Sequence, residues 1–246
     1  MQYLNQTQAK KLTGLSYLGG VATSSKMAKG LKYNEMTYIL YLAPADMSGY
    51  EVCPMRSDEC TRLCLNESGH NRIDTKNIIN AARIKKTKLF FEQRDFFMAW
   101  LVDEIAAGAR KAEKAGMRYS VRLNGTSDLN PEQFNAGGKN ILQIFPDIQF
   151  YDYTKVDNRI KLIQKYPNYD LTFSYSGTNL DKAILALENN IRVAVVFEQV
   201  PETFWGRQVI DGDAYDMRYL DEDNVVVGLK FKKIRTKLEK SSFVIS

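Results

Sequence analysis

The sequence predicts an α/β protein. The expected architecture is an incomplete TIM-like (β/α) barrel of about six parallel strands, with an open doubly wound sheet as the alternative. Three observations predict it. Short apolar, β-rich runs alternate with longer segments of helical period. The connections between them are short, and most strand-like runs end in polar and turn residues, as at the mouth of a parallel sheet. The only three cysteines, Cys53, Cys60 and Cys64, follow the first buried run after a short loop, where a parallel α/β protein has its functional face.

Taken in order, residues 1–35 are polar and rich in Gly, Ser, Thr and Lys. The stretch TGLSYLGGVATSSKMAKG offers turn residues without a period, which predicts an extended, partly mobile N-terminal arm packed on the body. Residues 36–246 read as a single domain that carries the cysteines, with no internal repeat. Met36 to Leu42 is a buried strand closed by Pro44. A helical turn starting near Asp58 places Cys60 and Cys64 on one face, and Cys53 reaches in from the loop. Gly69 is positioned to end that helix. Asp74 is the expected cap of the next, whose apolar side carries Ile78, Ile79, Ala82 and Leu89. QRDFFMAWLVDEIAAGARKAEKAG is a third helix stopped by Gly116, and MRYSVRLNGTSDL is a strand running into a glycine turn. Gln149 to Tyr153 is a strand, NRIKLIQKYP a helix stopped by Pro167, and YDLTFSYS a strand. NLDKAILALENN is a helix and IRVAVVFE a strand. The segment from Pro201 to Asp223 reads as irregular, and NVVVGLKF as the last strand.

Bulk properties narrow the function classes. Hydrophobic residues at 44% and charged residues at 26% fit a globular domain with a sizeable core. No run approaches the ~18 apolar residues of a membrane span, so no membrane role is expected. MQYLNQTQAKK lacks an apolar signal core, which predicts a cytoplasmic, reducing setting where clustered thiols bind metal more often than they pair. A net charge of +5 is mild and does not support nucleic-acid binding. The basic run KFKKIRTKLEK is the exception, either a patch or a charged strand and tail. One histidine argues against His-dependent triads and multi-His metal sites. Neither phosphate-loop nor dinucleotide fingerprints occur.

The pattern C-x6-C-x3-C carries the chemistry. Three cysteines fall in one twelve-residue window by chance on the order of one time in a hundred. Thiolates so close repel unless a soft cation neutralises them or two of them oxidise. Three suit a 4Fe–4S cluster with one iron left open, or zinc with a fourth ligand from elsewhere. Buried core cysteines are the plainer alternative, but Arg56, Asp58, Glu59 and Arg62 make the stretch polar. An odd count argues against a structural disulfide. His70 is the candidate fourth metal ligand, set against an exposed loop histidine.

Candidate ligand-binding residues come from the strand exits: Arg122, Asn124, Gly125, Thr126 and Asp128 after one strand, Lys155 after the next, Ser174 after the next. Asn124 to Thr126 either present backbone N–H groups to a carboxylate or phosphate or form an Asn-Gly turn. Arg122 and Lys155 either neutralise an anionic ligand or are surface charges. Asp211, Asp213, Asp216 and Asp221 read as a solvated acidic loop in preference to a divalent-cation site. No residue is assigned a catalytic role.

Five ordered blocks, CPMRSDECTRLCLNESGHNR, AARIKKTKLFFEQRDFF, YSVRLNGTSDL, IQFYDYTKVDNR and LTFSYSG, resemble the bacteriophage gene product 88 family over about Tyr38 to Val227. The resemblance implies a phage or prophage origin and expression in the cytoplasm of the infected bacterial host. The family's cysteine set corresponds to Cys53, Cys60 and Cys64. The arrangement is also similar to radical S-adenosylmethionine enzymes, which place three cysteines after the first barrel strand to hold a 4Fe–4S cluster whose open iron binds the cofactor. This chain departs from their C-x3-C-x2-C spacing in both gaps. LNGTSD stands where their Gly-Gly-Glu motif would be, so the cluster carries over better than S-adenosylmethionine does.

The expected function is that of a phage iron–sulfur protein with redox or radical S-adenosylmethionine-like chemistry, acting on a small-molecule ligand or redox partner. The alternative is a zinc-stabilised interaction module that engages a host protein or nucleic acid through the basic tail.

Overall fold

Strands form where β-branched and aromatic residues run without interruption, because both faces of a parallel sheet are covered. A computed structural model describes residues 6–21, 25–66, 77–231 and 242–246 of the chain. The chain divides into two units, Met1–Cys53 with Lys76–Phe150, and Pro54–Thr75 with Tyr151–Ser246.

The first unit opens with α1 (Gln6–Thr13), β1 (Gly19–Gly20) and α2 (Ser25–Leu31), followed by β2 (Glu35–Leu40). Helix α3 (Asp58–Asn66) belongs to the second unit. The first unit resumes with α4 (Ile78–Glu92), α5 (Arg94–Lys114) and β3 (Arg118–Arg122). It continues through the small hairpin of β4 (Asn135–Ala136) and β5 (Lys139–Asn140), α6 (Ile141–Ile144) and the start of β6 (Gln149–Thr154). All six residues of β2 are buried. It pairs in parallel with β3, from Glu35 opposite Arg118 to Ile39 opposite Arg122. Strand β3 pairs in parallel with β6 through Ser120–Gln149 and Val121–Phe150. Helix α5 buries Phe97, Met98, Trp100, Leu101 and Ile105. It ends as its glycine predicts. Gly116 adopts φ +65°, its N–H donates to Glu113 O, and the Met117 N–H donates to Ala112 O.

The arm departs from expectation. It packs on the body, burying Ala9, Leu15, Leu18 and Met27, but two short helices replace the extended chain. Neither helix has the length to stand alone, so tertiary contacts hold them. The Glu104 carboxylate of α5 accepts the N–H groups of Leu18 (2.9 Å) and Gly19 (2.9 Å) and the Tyr38 hydroxyl (2.6 Å). Gly19 must be glycine, because a Cβ there would lie 2.4 Å from the Tyr38 ring. Lys86 of α4, 6% exposed, places Nζ 4.6 Å from the Tyr17 ring centroid. Burial pushes its amine down to about 8 against the opposing pull of Glu104, and burial also raises Glu104.

The second unit contains the rest of β6, α7 (Lys161–Lys165), β7 (Tyr169–Ser174), α8 (Leu180–Glu188) and β8 (Val193–Phe197). After these come β9 (Thr203–Phe204), β10 (Arg207–Asp211), β11 (Val226–Lys230) and β12 (Val244–Ile245). Strands β7, β8 and β11 are parallel neighbours. Phe173, Val193, Val195, Phe197 and Val226 pack with Ala183, Ala186 and Leu187 of α8 as the core. The segment read as irregular holds a hairpin. Strands β9 and β10 join through Trp205 and Gly206, both at positive φ, and β10 lies parallel to β11. Strand β11 covers one edge of β8 along its length. The other edge is shared by β7, opposite Val193 and Ala194, and β12, opposite Val196 and Phe197.

The α/β class with mostly parallel strands is therefore as expected, and the six anticipated strands are β2, β3, β6, β7, β8 and β11. Parallel neighbours follow chain order within each unit, β2-β3-β6 and β7-β8-β11, without the reversal of a doubly wound sheet. Among the described residues the pairings include no closed ring of strands. Among those residues no helix is long and apolar enough to cross a membrane.

Candidate functional site

In the first unit the exits of β2 and β3 are stitched together. The Gly125 N–H donates to Leu40 O (3.0 Å), the Thr126 hydroxyl to Leu42 O (2.5 Å), and the Asp128 N–H to Val52 O (2.7 Å). A Cβ on Gly125 would stand 2.7 Å from Leu40 O and 2.8 Å from Ile39 Cγ2, so the loop approaches β2 only because position 125 is glycine. Cys53 follows Val52, which is itself fully buried. The Cys53 N–H donates to Glu51 Oε1 (2.7 Å), and its half-buried thiol donates to Thr126 O at 3.9 Å. The first cysteine therefore meets the NGTSD loop, as the strand order predicts.

The same geometry defines what that loop's residues do. Asn124 is 2% exposed. Its Oδ1 accepts the Leu129 N–H (2.9 Å) and the Ser127 hydroxyl (2.8 Å), and its Nδ2 donates to Leu129 O (3.0 Å). It closes its own turn, as Asx residues do. The Gly125 N–H is likewise spent on Leu40 O. Arg122 and Asp128 are buried in the same unit.

The second unit holds the other half of the cysteine motif. Ser57 caps α3: its hydroxyl accepts the Cys60 N–H (3.2 Å) and its carbonyl the Thr61 N–H (3.0 Å). The helix starts at Asp58, as expected, so positions 60 and 64 are one turn apart on one side of it. Cys60 is half-buried. Cys53 and Cys60 are thiols, not disulfide halves. Glu59 anchors the helix by accepting the Phe243 N–H (3.1 Å) and the Ser242 hydroxyl (3.5 Å). Lys155 is half-buried just past β6, and Ser174 ends β7 with its carbonyl accepting Asn179 Nδ2 (3.0 Å). Glu59 and Ser57 carry no sequence signal of a role here beyond the Ser-Asp-Glu start of a helix.

The side chain of Cys64, together with His70, Gly69 and Asp74, lies outside the described residues. Among the described residues no three His, Cys, Asp or Glu side chains gather as a metal site. That includes the acidic run, where Asp211 Oδ1 accepts the Asp213 N–H (2.8 Å) and the other side-chain bonds run to different partners. Asp213 Oδ2 accepts the Lys230 N–H, Asp216 accepts the Tyr151 hydroxyl, and Asp221 pairs with the fully buried Arg218. A cleft of about 300 Å³ in the second unit lies at the opposite, amino-terminal ends of β7 and β8, bordered by Asp170, Arg192 and Asp223. There Arg192 donates twice to Asp170 Oδ2 (3.1 and 2.7 Å). Burial nevertheless pushes Asp170 up to about 6, with Asp223 and Asp221 adding to the effect. This is a structural ion pair remote from the strand exits.

No curated protein and no solved structure matches the chain. A family match, by contrast, spans residues 3–246, nearly the whole sequence and every block that carried the resemblance. This chain, with its cysteine segment divided between a strand-exit loop and a capped helix, belongs to the family described as Gene product 88.

Proposed function

We propose that this chain is a phage-encoded iron–sulfur protein of the host cytoplasm. In this reading a 4Fe–4S cluster is held by Cys53, Cys60 and Cys64, with the fourth iron left to a non-cysteine ligand or an incoming small molecule. The observation that carries it is the cysteine motif itself, with Cys53 at the strand exits of its unit and positions 60 and 64 one turn apart on α3. The donor chemistry fits: two described thiols are half-buried and unoxidised, and Cys53 is seven residues from Cys60 along the chain, a short enough tether for their sulfurs to meet. Such a cluster supplies one-electron chemistry or activates a ligand at its open iron, S-adenosylmethionine being one such ligand. Chain-ordered parallel strands in each unit are the order a barrel uses, which supports the partial-barrel reading.

Anaerobic purification followed by iron and sulfide analysis and EPR of the reduced protein tests this. A brown protein absorbing broadly near ~400 nm is expected. Cys60→Ser should bleach it, and a variant that keeps full iron content defeats the assignment. A colourless protein with stoichiometric zinc replaces it with the interaction-module reading. An EPR spectrum unchanged in His70→Ala removes His70 from the site.

A further inference from the structure

We propose that Glu59 is a positioning residue for the cysteine helix, and that residues 242–246 are the clamp it closes on. The proposal rests on the metal-site reading above for its purpose, but not for its geometry, all of which lies in the second unit. Glu59 immediately precedes Cys60 in the first turn of α3. Its carboxylate takes the Phe243 N–H from 184 residues away in sequence, a charge-assisted bond to the backbone. The next residues, Val244 and Ile245, form β12 on β8. Ile245 O accepts the Glu198 N–H (2.9 Å) just beyond the end of β8.

The clamp is seated on a third side as well. Gly177, in the loop after β7, is at φ +85°, and a Cβ there would stand 2.5 Å from the Ser242 carbonyl carbon. The segment thus occupies the edge of β8 that β7 leaves beyond Ser174, and its first residues meet the turn that carries Cys60. A two-residue strand has few ladder bonds of its own. Glu59 and β12 therefore hold each other, and the helix bearing two of the three cysteines takes its place from that bond.

The test uses the full chain and the variants Glu59→Ala and Glu59→Gln. Three quantities are read: amide exchange at Phe243, the rate of Cys60 alkylation by iodoacetamide in metal-free protein, and the rate of iron release to a chelator after anaerobic reconstitution. In Glu59→Ala all three are expected to rise about tenfold, the loss of one charge-assisted bond. In Glu59→Gln, which keeps an acceptor oxygen, they should stay within about threefold. Val244→Ser loosens the clamp from the other side and should raise Cys60 alkylation likewise, which decides the matter if Glu59→Ala does not fold. Unchanged exchange at Phe243 in Glu59→Ala overturns the clamp. Faster exchange with unchanged Cys60 alkylation overturns the positioning role. Failure to take up iron sinks the metal reading alone, because exchange and alkylation still decide the clamp.

Discussion

Replacing Lys86 with Met should stabilise the protein at neutral pH and cease to do so in alkali. Lys86 is 6% exposed and its amine is pushed by burial down to about 8. At about 1.4 kcal/mol per pH unit, its charged form is ~3 kcal/mol less favourable in the fold than in the unfolded chain. At pH 7 both states carry the proton and the whole cost is present. Between about 8 and the unfolded value the unfolded chain still holds a proton that the folded chain has lost, so wild-type stability rises with pH through that window. Methionine fills a similar volume without a charge. It forfeits the contact with the Tyr17 ring, worth ~1 kcal/mol, leaving a net gain of ~2 kcal/mol at pH 7. Urea titrations of both proteins at pH 7, 9 and 10.5 read the difference directly. A variant less stable than wild type at pH 7, or a gain that does not shrink towards pH 10.5, refutes the reasoning.

Two further expectations concern the strand-exit loop. Gly125→Ala should lift the loop from β2, breaking the bond to Leu40 O, and cost about 2 kcal/mol in urea unfolding while speeding Cys53 alkylation; unchanged stability would mean the close approach to Leu40 is not required. Asn124→Ala removes the acceptor and donor that close the turn and leaves the Leu129 N–H unpaired in a buried setting, at a cost of about 2–3 kcal/mol. An Asn124→Ala variant with wild-type thermal stability would instead free that residue for a ligand role.

Strand β8, VAVVF, was readable because it is apolar on both faces, and β2 because its aromatic and aliphatic residues Tyr38, Ile39 and Leu40 form an unbroken buried run. Gly116 and the Asp58 start of α3 were readable because they are local chemistry. The arm helices were not, since QTQAKKLT and SKMAKGL are short and polar, and the GLSYLGG stretch after the first of them is held by Glu104, 86 positions further along the chain from Leu18. The β9–β10 hairpin was hidden because its left-handed turn uses Trp205 where Asn or Asp would have announced it. At the site, the meeting of Cys53 with the loop after β3 followed from strand order. The turn that Asn124 closes was the local alternative stated for the Asn-Gly pair, whereas the anchor at Glu59 was not legible, because its partner Phe243 lies 184 residues away.

The bond between Glu59 and Phe243 also orders events on the ribosome. The cysteine helix leaves the exit tunnel long before Phe243, whose N–H its Glu59 carboxylate accepts, has been synthesised, and closing so long a loop is slow relative to local helix formation. Throughout that interval Cys60 is carried on a helix without its anchor. On the metal-site reading proposed above, loading onto the anchored helix falls after synthesis has passed residue 243.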